Sequence, residues 1–491
     1  MTQGVEIELK FQLPPANRAR LERALATRSA ERLPLRALYF DTPDGRLAAA
    51  RMALRLRQEG PRWVQTLKGR GDGLMQRLED EVPVAHQGND APVLDPDRHD
   101  GTHAGRALAR VLADGAAPEV LYVTEIQRLR RVLRCEGARV EVSLDVGRIR
   151  AGARSVPVCE VEFEWLGGPL QGLLTLAARW ARRYGLVLDV TTKAERGHCL
   201  AAGDPAPPVV RAEKPALSAD LALGEARAAI VAATLAHALP NAAALVGGRH
   251  LPDHVHQLRV ALRRLRTALR AFGPEDVERD QALSALFEAL GRTRDADVLA
   301  QTLAPARAAA AAAGWAPEVV EPDVVPDAAG PAALRAPAAA DLWLKLIGLM
   351  HAQPSHDDGR PWAATAEPVL RRWRRRARHL ARDWRTLDDP SRHRLRKQLK
   401  RLRYLLEFCA PLWPGKSTRQ QLAALVPLQD MLGHWNDLVV ARTALQARPA
   451  SDPAAAFLSG WLARESQWCD QACAAAAAAW RQVKAPRRRR R

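Results

Sequence analysis

Glu6, Glu8 and Lys10 alternate with Val5, Ile7 and Leu9, so a strand over these residues points two carboxylates and an ammonium at one face. Two acids followed by a base suit a place where a metal ion and an anion sit together. The same two-residue spacing of charge recurs along the first 200 residues. Arg55 and Arg57 alternate with Leu54 and Leu56, and Arg77, Glu79 and Glu81 share a parity. Arg128 and Arg130 follow, then Glu141 and Asp145 across Ser143, then Glu160, Glu162 and Glu164 between Val161, Phe163 and Trp165. Lys68 in QTLKGRG and Lys193 in TTKAERG add two more cations.

Strands of this kind need cover for their apolar face. Residues Leu21 to Leu25 and Leu170 to Tyr184 read as amphipathic helices that supply it from outside. If the sheet then closes into a barrel, the charged face lines a lumen. Acids and bases there must offset one another or a ligand, because an unpaired buried charge is costly.

The opening VEIELKF, the YFDTPD stretch from Tyr39 to Asp44, the RLR pair, TLK, the CEVEFE segment and the late Lys193 occur in one order, and together they resemble the CYTH domain, or triphosphate tunnel fold, over about residues 1–203. The resemblance implies an antiparallel β-barrel tunnel with flanking helices that hydrolyses a triphosphate with a divalent metal. Arginine forks match phosphate oxygens and lysines add point charges. The expected substrate-binding residues are Lys10, Arg55, Arg57, Lys68, Arg77, Arg128, Arg130 and Lys193. Hard carboxylate oxygens suit Mg2+ or Mn2+, with Glu160 and Glu162 first among the expected ligands, then Glu6, Glu8, Glu79 and Asp145, and Glu141 after them. Glu6, Glu8 and Lys10 are the catalytic candidates; one carboxylate orients the attacking water, and the sequence leaves open which. Inorganic triphosphate is the expected substrate. Thiamine triphosphate, a nucleotide, or a tunnel that only holds a phosphate chain end are the alternatives.

Composition changes after about residue 203. The Pro-rich stretch 204–218 reads as a linker, and beyond it the chain turns to Ala, Leu and Arg at helical spacing. An internal repeat follows. Basic residues fall at His256, Arg259, Arg263, Arg264 and Arg266, and again, at the same offsets about 137 residues later, at His393, Arg396, Lys400, Arg401 and Arg403. Offsets of 0, 3, 7 and 10 lie within about 80° on an α-helix. Each copy is therefore a cationic stripe; Arg270 extends the first, while Glu407 stands at that place in the second. Like charge crowded on one face destabilises an isolated helix, and a polyanion laid along it would reverse that cost. This region resembles the CHAD domain over about residues 219–484, with repeats near 219–310 and 340–484. The resemblance implies that all eleven of these residues bind inorganic polyphosphate. The expected fold class is thus α+β and multidomain: the tunnel, then an all-α duplicated bundle, then a basic tail at 485–491. Pro317 to Pro337 reads as a loop.

The formal net charge is +19, of which residues 1–203 carry +5 and the remainder +14. Such an excess attracts polyanions. Nucleic acid is not favoured, because no recognition module or aromatic platform is evident and the tryptophans read as bundle core. The opening residues lack an apolar leader pattern, no stretch reads as long enough to enter a membrane, and six cysteines show no CxxC pairing. A reduced cytoplasmic setting is expected, at polyphosphate granules if the second resemblance holds.

Overall fold

The computed structural model describes residues 5–70, 76–86, 90–113, 115, 117–204, 206–312, 314, 328–351, 359–446 and 453–486. Contacts divide the chain into two units: residues 1–211 with 235–257 and 331–351, and residues 212–234 with 258–330 and 352–491.

Among its described residues the first unit is built on nine strands, Val5–Gln12 (β1), Glu31–Asp41 (β2), Ala53–Glu59 (β3), Arg62–Arg70 (β4), Gln76–Val84 (β5), Glu119–Cys135 (β6), Ala138–Ala151 (β7), Arg154–Gly167 (β8) and Val187–Leu188 (β9). Their order is β5-β4-β3-β2-β6-β7-β8-β1-β9, every named pairing being antiparallel. β1 pairs with β5 over Val5–Ile7 and with β8 over Glu8–Gln12, so the circuit of pairings returns to its starting strand. The β6–β7 hairpin turns on Glu136 and Gly137, both at positive φ, the backbone that a tight two-residue turn requires.

Helices Arg18–Leu25 (α1), Arg46–Ala49 (α2), His103–Val111 (α3), Leu170–Tyr184 (α4) and Lys193–Ala202 (α5) surround the sheet. The buried face of α4 carries Leu173, Leu174, Ala177, Ala181 and Tyr184, a helical spacing. It covers the outward face of the sheet, where Trp180 meets Phe163 edge-on at 5.9 Å and Phe163 meets Phe11 at 5.6 Å. Leu54 and Leu67 are buried in the same way with Ala104 and Leu108 of α3. The apolar set thus faces out under helices, and the alternate set faces in.

One end of the interior is sealed by α5. Its Leu200 packs with the inward residues Tyr122, Ile126, Ile149 and Val158. A capping box starts the helix at a defined residue: the Thr192 hydroxyl accepts from the Glu195 amide at 2.9 Å, and the Glu195 carboxylate accepts from the Thr192 amide at 2.7 Å. His198 Nε2 lies 3.0 Å from Asp41 Oδ2, tying α5 to the end of β2. Gly197 lets the helix lie flush, since a Cβ there would meet the Tyr122 ring at 2.2 Å.

Among the described residues nine more helices follow: Leu223–Val246 (α6), Pro252–Phe272 (α7), Val277–Ala312 (α8), Ala329–Arg335 (α9), Pro337–His351 (α10), Trp362–Leu380 (α11), Asp389–Phe408 (α12), Lys416–Gln446 (α13) and Pro453–Gln482 (α14). The second unit, which includes α8 and α11–α14, is all-helical among its described residues apart from the isolated bridge between Ala222 and Pro361, and has a core of Leu, Ala and Trp. Trp384 and Trp435 meet edge-on within it at 5.9 Å, consistent with the core reading of the tryptophans.

Two expectations need correction. α6 is long and apolar enough by composition to cross a bilayer, although no such stretch was expected; 72% of its most apolar window is buried within the protein, which is the behaviour of a core helix. Within the segment read as a loop, residues 329–335 form α9, because Ala, Leu and Arg outweigh a single Pro near the helix start. The five terminal arginines lie outside the described residues.

Gly197→Ala is expected to destabilise by about 1–3 kcal/mol, the usual cost of overpacking. A lower denaturant midpoint at unchanged slope checks this.

Candidate functional site

Register brings the inward charges into rows. Arg128 faces Asp145, Asp145 faces Glu160, and Lys10 faces Glu162 across adjacent strands. Arg128 grips Asp145 with two bonds of 2.7 Å and donates to Glu162 at 2.5 Å. Lys193, at the first turn of α5, reaches Asp145 Oδ2 at 2.7 Å and Glu162 Oε1 at 2.8 Å and also contacts Glu160. Arg196, one turn on, pairs with Glu160. Asp145 is 0% exposed and Glu160 1%. One oxygen from each of Asp145, Glu160 and Glu162 lies within 4.8 Å of the others.

Burial by itself would push these carboxyls up. Lys193 and Arg128 nevertheless hold Glu162 well below the usual carboxylate range, and Lys193, Lys10 and Arg196 hold Glu160 below it. Conversely, burial would lower the Lys193 ammonium and Arg128, and the surrounding acids raise both. Glu160, Glu162, Lys193 and Arg128 are therefore held in their charged forms. Lys10, 7% exposed, has an Nζ with no hydrogen-bond partner among the described residues. A buried ammonium left without such a bond is suited to accepting an anion.

A second pole lies on β2–β5. Lys68 is 3.0 Å from Glu79, which is 3.9 Å from Arg55. Arg57 pairs with Glu81 at 3.1 Å and also with Glu59. Arg55 donates to the Tyr39 hydroxyl at 3.2 Å. Burial alone would raise the Tyr39 phenol, but Arg55, with Lys193 and Lys68 farther off, brings it down. Arg55 Nε and Arg57 Nε are buried without a hydrogen bond.

The sequence-derived residues therefore fall into three places. Lys10, Arg128, Lys193, Asp145, Glu160 and Glu162 come together; Arg55, Arg57, Lys68 and Glu79 form the second pole. Arg130 sits farther out, 2.8 Å from Glu31 and 3.7 Å from Glu141. Glu8 lies opposite Glu164 and is half-buried. Glu6 and Arg77 face each other in the β1–β5 register, but their side chains lie outside the described residues. Two participants were missed: Arg196 and Tyr39. The T-x-x-E box at Thr192 would have located Arg196, because it starts α5 so that residues 193 and 196 share a face.

The three clustered carboxylates offer oxygen donors only, which fits a hard divalent cation. They face four cations, Lys10, Lys193, Arg128 and Arg196, so a divalent ion alone would leave the cluster in positive excess. Arrival with an anionic ligand removes that imbalance.

In the helical unit the two stripes approach each other. Burial, with Arg263, Arg396 and Arg259 nearby, pushes the Lys400 ammonium down to about 5, and burial with Arg263 lowers Arg396. Arg263 Nε and Arg396 Nε are buried without hydrogen bonds. Arg259 lies over the Phe287 ring at 4.3 Å and donates to the Phe287 carbonyl. His256 lies one turn before Arg259 on α7. His393 Nδ1 is 3.1 Å from Asn436 Oδ1. The remaining stripe residues have acidic or like-charged neighbours. Arg266 and Arg270 pair with Asp280 at 3.3 and 2.8 Å, and both depress Arg401 after burial. Arg264 is turned inward to Glu407 at 2.6 Å, and Arg403 holds the same carboxylate at 2.8 Å. Glu407, the position where the repeats differ, thus neutralises one cation from each copy.

Because Lys400 is neutral at pH 7 when free, an anion bound beside it is expected to draw a proton from solution. Below about pH 5 the ammonium is already charged and the uptake vanishes. Calorimetric titrations in buffers of different ionisation enthalpy measure it.

Residues 4–198 match the CYTH domain family and residues 229–446 the CHAD domain family. An inorganic triphosphatase of Haemophilus influenzae is 29% identical over 201 residues, 40% of this chain and 54% of that protein. The chain thus spans about half the length of that curated relative. The solved CHAD domain of Ricinus communis is 31% identical across 57% of this chain and 99% of its own, with a TM-score of 0.46. A Hippeastrum protein described as a putative adenylyl cyclase with a dominant triphosphatase activity is 20% identical across 40% of this chain and 96% of its own, with a TM-score of 0.28. The chain therefore belongs to the CYTH–CHAD proteins, with a CYTH domain followed by a CHAD domain.

Proposed function

We propose that the CYTH domain hydrolyses inorganic triphosphate to pyrophosphate and phosphate with Mg2+ or Mn2+, and that the CHAD domain binds inorganic polyphosphate. The supporting observation for the first half is a buried interior that holds Asp145, Glu160 and Glu162 against Lys10, Lys193 and Arg128, with a second cationic pole at Arg55, Arg57 and Lys68.

A triphosphate carries about four to five negative charges near neutrality, and its hydrolysis needs that charge spread over fixed donors while water attacks in line. Arg55, Arg57 and Lys68 bind and orient one part of the chain, and Lys10 supplies its unbonded ammonium to another. Asp145, Glu160 and Glu162 would hold the cation, which when bound draws charge from phosphoryl oxygens. A carboxylate of the inward face, with Glu8 beside Lys10 a candidate, accepts a proton from the attacking water. Lys193 and Arg196 keep Glu160 ionised until the ligand arrives. Nothing on the described inward face resembles an aromatic clamp for a base, since Tyr39 and Tyr122 stack on each other at 4.7 Å. That favours the smallest triphosphate.

For the second half, the converging cations Arg259, Arg263 and Arg396, around a Lys400 amine that a bound anion would protonate, support a polyanion ligand. The setting this reading implies is the cytoplasm, at polyphosphate granules.

Phosphate release from triphosphate, thiamine triphosphate, ATP and long-chain polyphosphate, each with Mg2+ and Mn2+, tests the catalytic reading. Inorganic triphosphate is expected to give the highest kcat/KM, a chelator to abolish it, and Glu160→Ala or Lys10→Ala to lower it about 100-fold or more with the fold retained. Full activity in those variants would sink it. For the binding reading, replacing Arg259, Arg263, Arg396 and Lys400 together with glutamine is expected to abolish retention of long-chain polyphosphate at moderate salt. The salt slope of the wild-type protein should show several released counterions.

A further inference from the structure

The duplicated stripes do not account for all the charge of the helical unit. α6 and α11 are the helices immediately before the two stripe helices, yet their sequences diverge. α6 is almost wholly apolar, whereas α11 reads RRWRRRARHLAR over residues 371–382, at its C-terminal end and into the turn that follows. That arginine run therefore has no counterpart in the first repeat, and burying a stripe helix does not require it.

The run lines a cleft of about 600 Å³ with the C-terminal end of α14. Arg374, Arg375, Arg378, Arg382 and Arg481 contribute to its walls, and none of the lining residues lies on α7 or α12. Its one acid, Glu367, is taken up by Arg371 at 2.5 Å. Arg375, Arg378 and Arg382 have no acidic partner among the described residues. Arg374 donates to the Val483 carbonyl at 2.7 Å, while its Nε is buried without a hydrogen bond. Burial, with Arg378 beside it, lowers Arg374, so the cleft wall carries repulsion that an anion would relieve.

The cleft also discriminates between anions. Of its two rings, Trp413 is 4% exposed and offers no face for a base, which leaves the exposed His379 imidazole as the single stacking surface in the lining. Single-stranded nucleic acid draws much of its sequence-independent affinity from such stacking, whereas a phosphate chain needs only forked donors and charge.

We propose that this cleft between α11 and the end of α14 is a second anion site, separate from the duplicated stripes, which takes a short inorganic phosphate chain. Two sites on one unit would let a single long chain be held at two points, or a short chain be held at either.

The test uses the full chain and a short linear inorganic polyphosphate in calorimetric titrations at fixed salt. Arg375→Gln/Arg378→Gln/Arg382→Gln is compared with Arg263→Gln/Arg396→Gln/Lys400→Gln. The wild-type protein is expected to show two classes of site, and each triple variant to lose one class, by at least about tenfold in affinity, and keep the other. Loss of the stripe class alone having no effect on the cleft class separates this site from the polyphosphate reading of the stripes, so either can fail without the other. The exposed single substitution Arg375→Gln, which leaves the core untouched, is expected to reduce the salt slope of the cleft class by about one. An unchanged titration in the cleft triple variant, or loss of both classes together in either triple variant, overturns the proposal. So does single-stranded RNA of equal charge that binds the cleft more tightly than the phosphate chain.

Discussion

The CYTH interior depends on the mutual neutralisation of acids and bases that have been taken out of water. Asp145 and Glu160 are almost wholly buried, and a buried carboxylate without a partner would protonate or unfold its surroundings. Lys193 answers three acids at once and Arg128 two, which holds Glu160 and Glu162 ionised despite their burial. The cluster is stable in that state, but it is also displaceable. Under the proposed function, a cation on the carboxylates would free the lysine and arginines to turn to an anion, so the contacts that hold the resting site together would supply its ligands.

That requirement explains the construction around it. α4 and α3 cover the outward face, so that the inward parity has nowhere to go but the interior. α5 closes one end and delivers Lys193 and Arg196 from its first turn. Its placement rests on small details: a capping box that sets the first residue, a glycine that admits the Tyr122 ring, and the His198–Asp41 contact to β2. A shift of one residue in any of these would rotate Lys193 away from the acids.

The CHAD unit solves the converse problem. Its cations have too few acids, and the molecule leaves the excess at defined places instead of neutralising it. Lys400 yields its proton, Arg263 and Arg396 keep unbonded guanidinium nitrogens, and Glu407 and Asp280 quench the flanking arginines. Repulsion is thus concentrated at the centre of the paired stripes. Under the proposed function, such stored repulsion would favour an anion there over the rest of a generally basic surface.

Much of this was legible in the chain itself, for a specific reason. Alternation and helical spacing are local periodicities, and they assign faces without knowledge of partners: the shared parity of Lys10, Arg128, Asp145, Glu160 and Glu162, the amphipathic helices over residues 21–25 and 170–184, and the matched stripes after His256 and His393 all follow from spacing alone. Which charges meet is decided by strand register and by how helices dock, distances that no local pattern contains. Only the tertiary structure therefore set Glu79 beside Lys68 and apart from the carboxylate cluster, turned Arg264 inward to Glu407, brought Arg196 to Glu160, and gathered the arginines of α11 into a cleft. Local sequence fixes what a face carries; the three-dimensional packing of distant segments fixes what that face confronts.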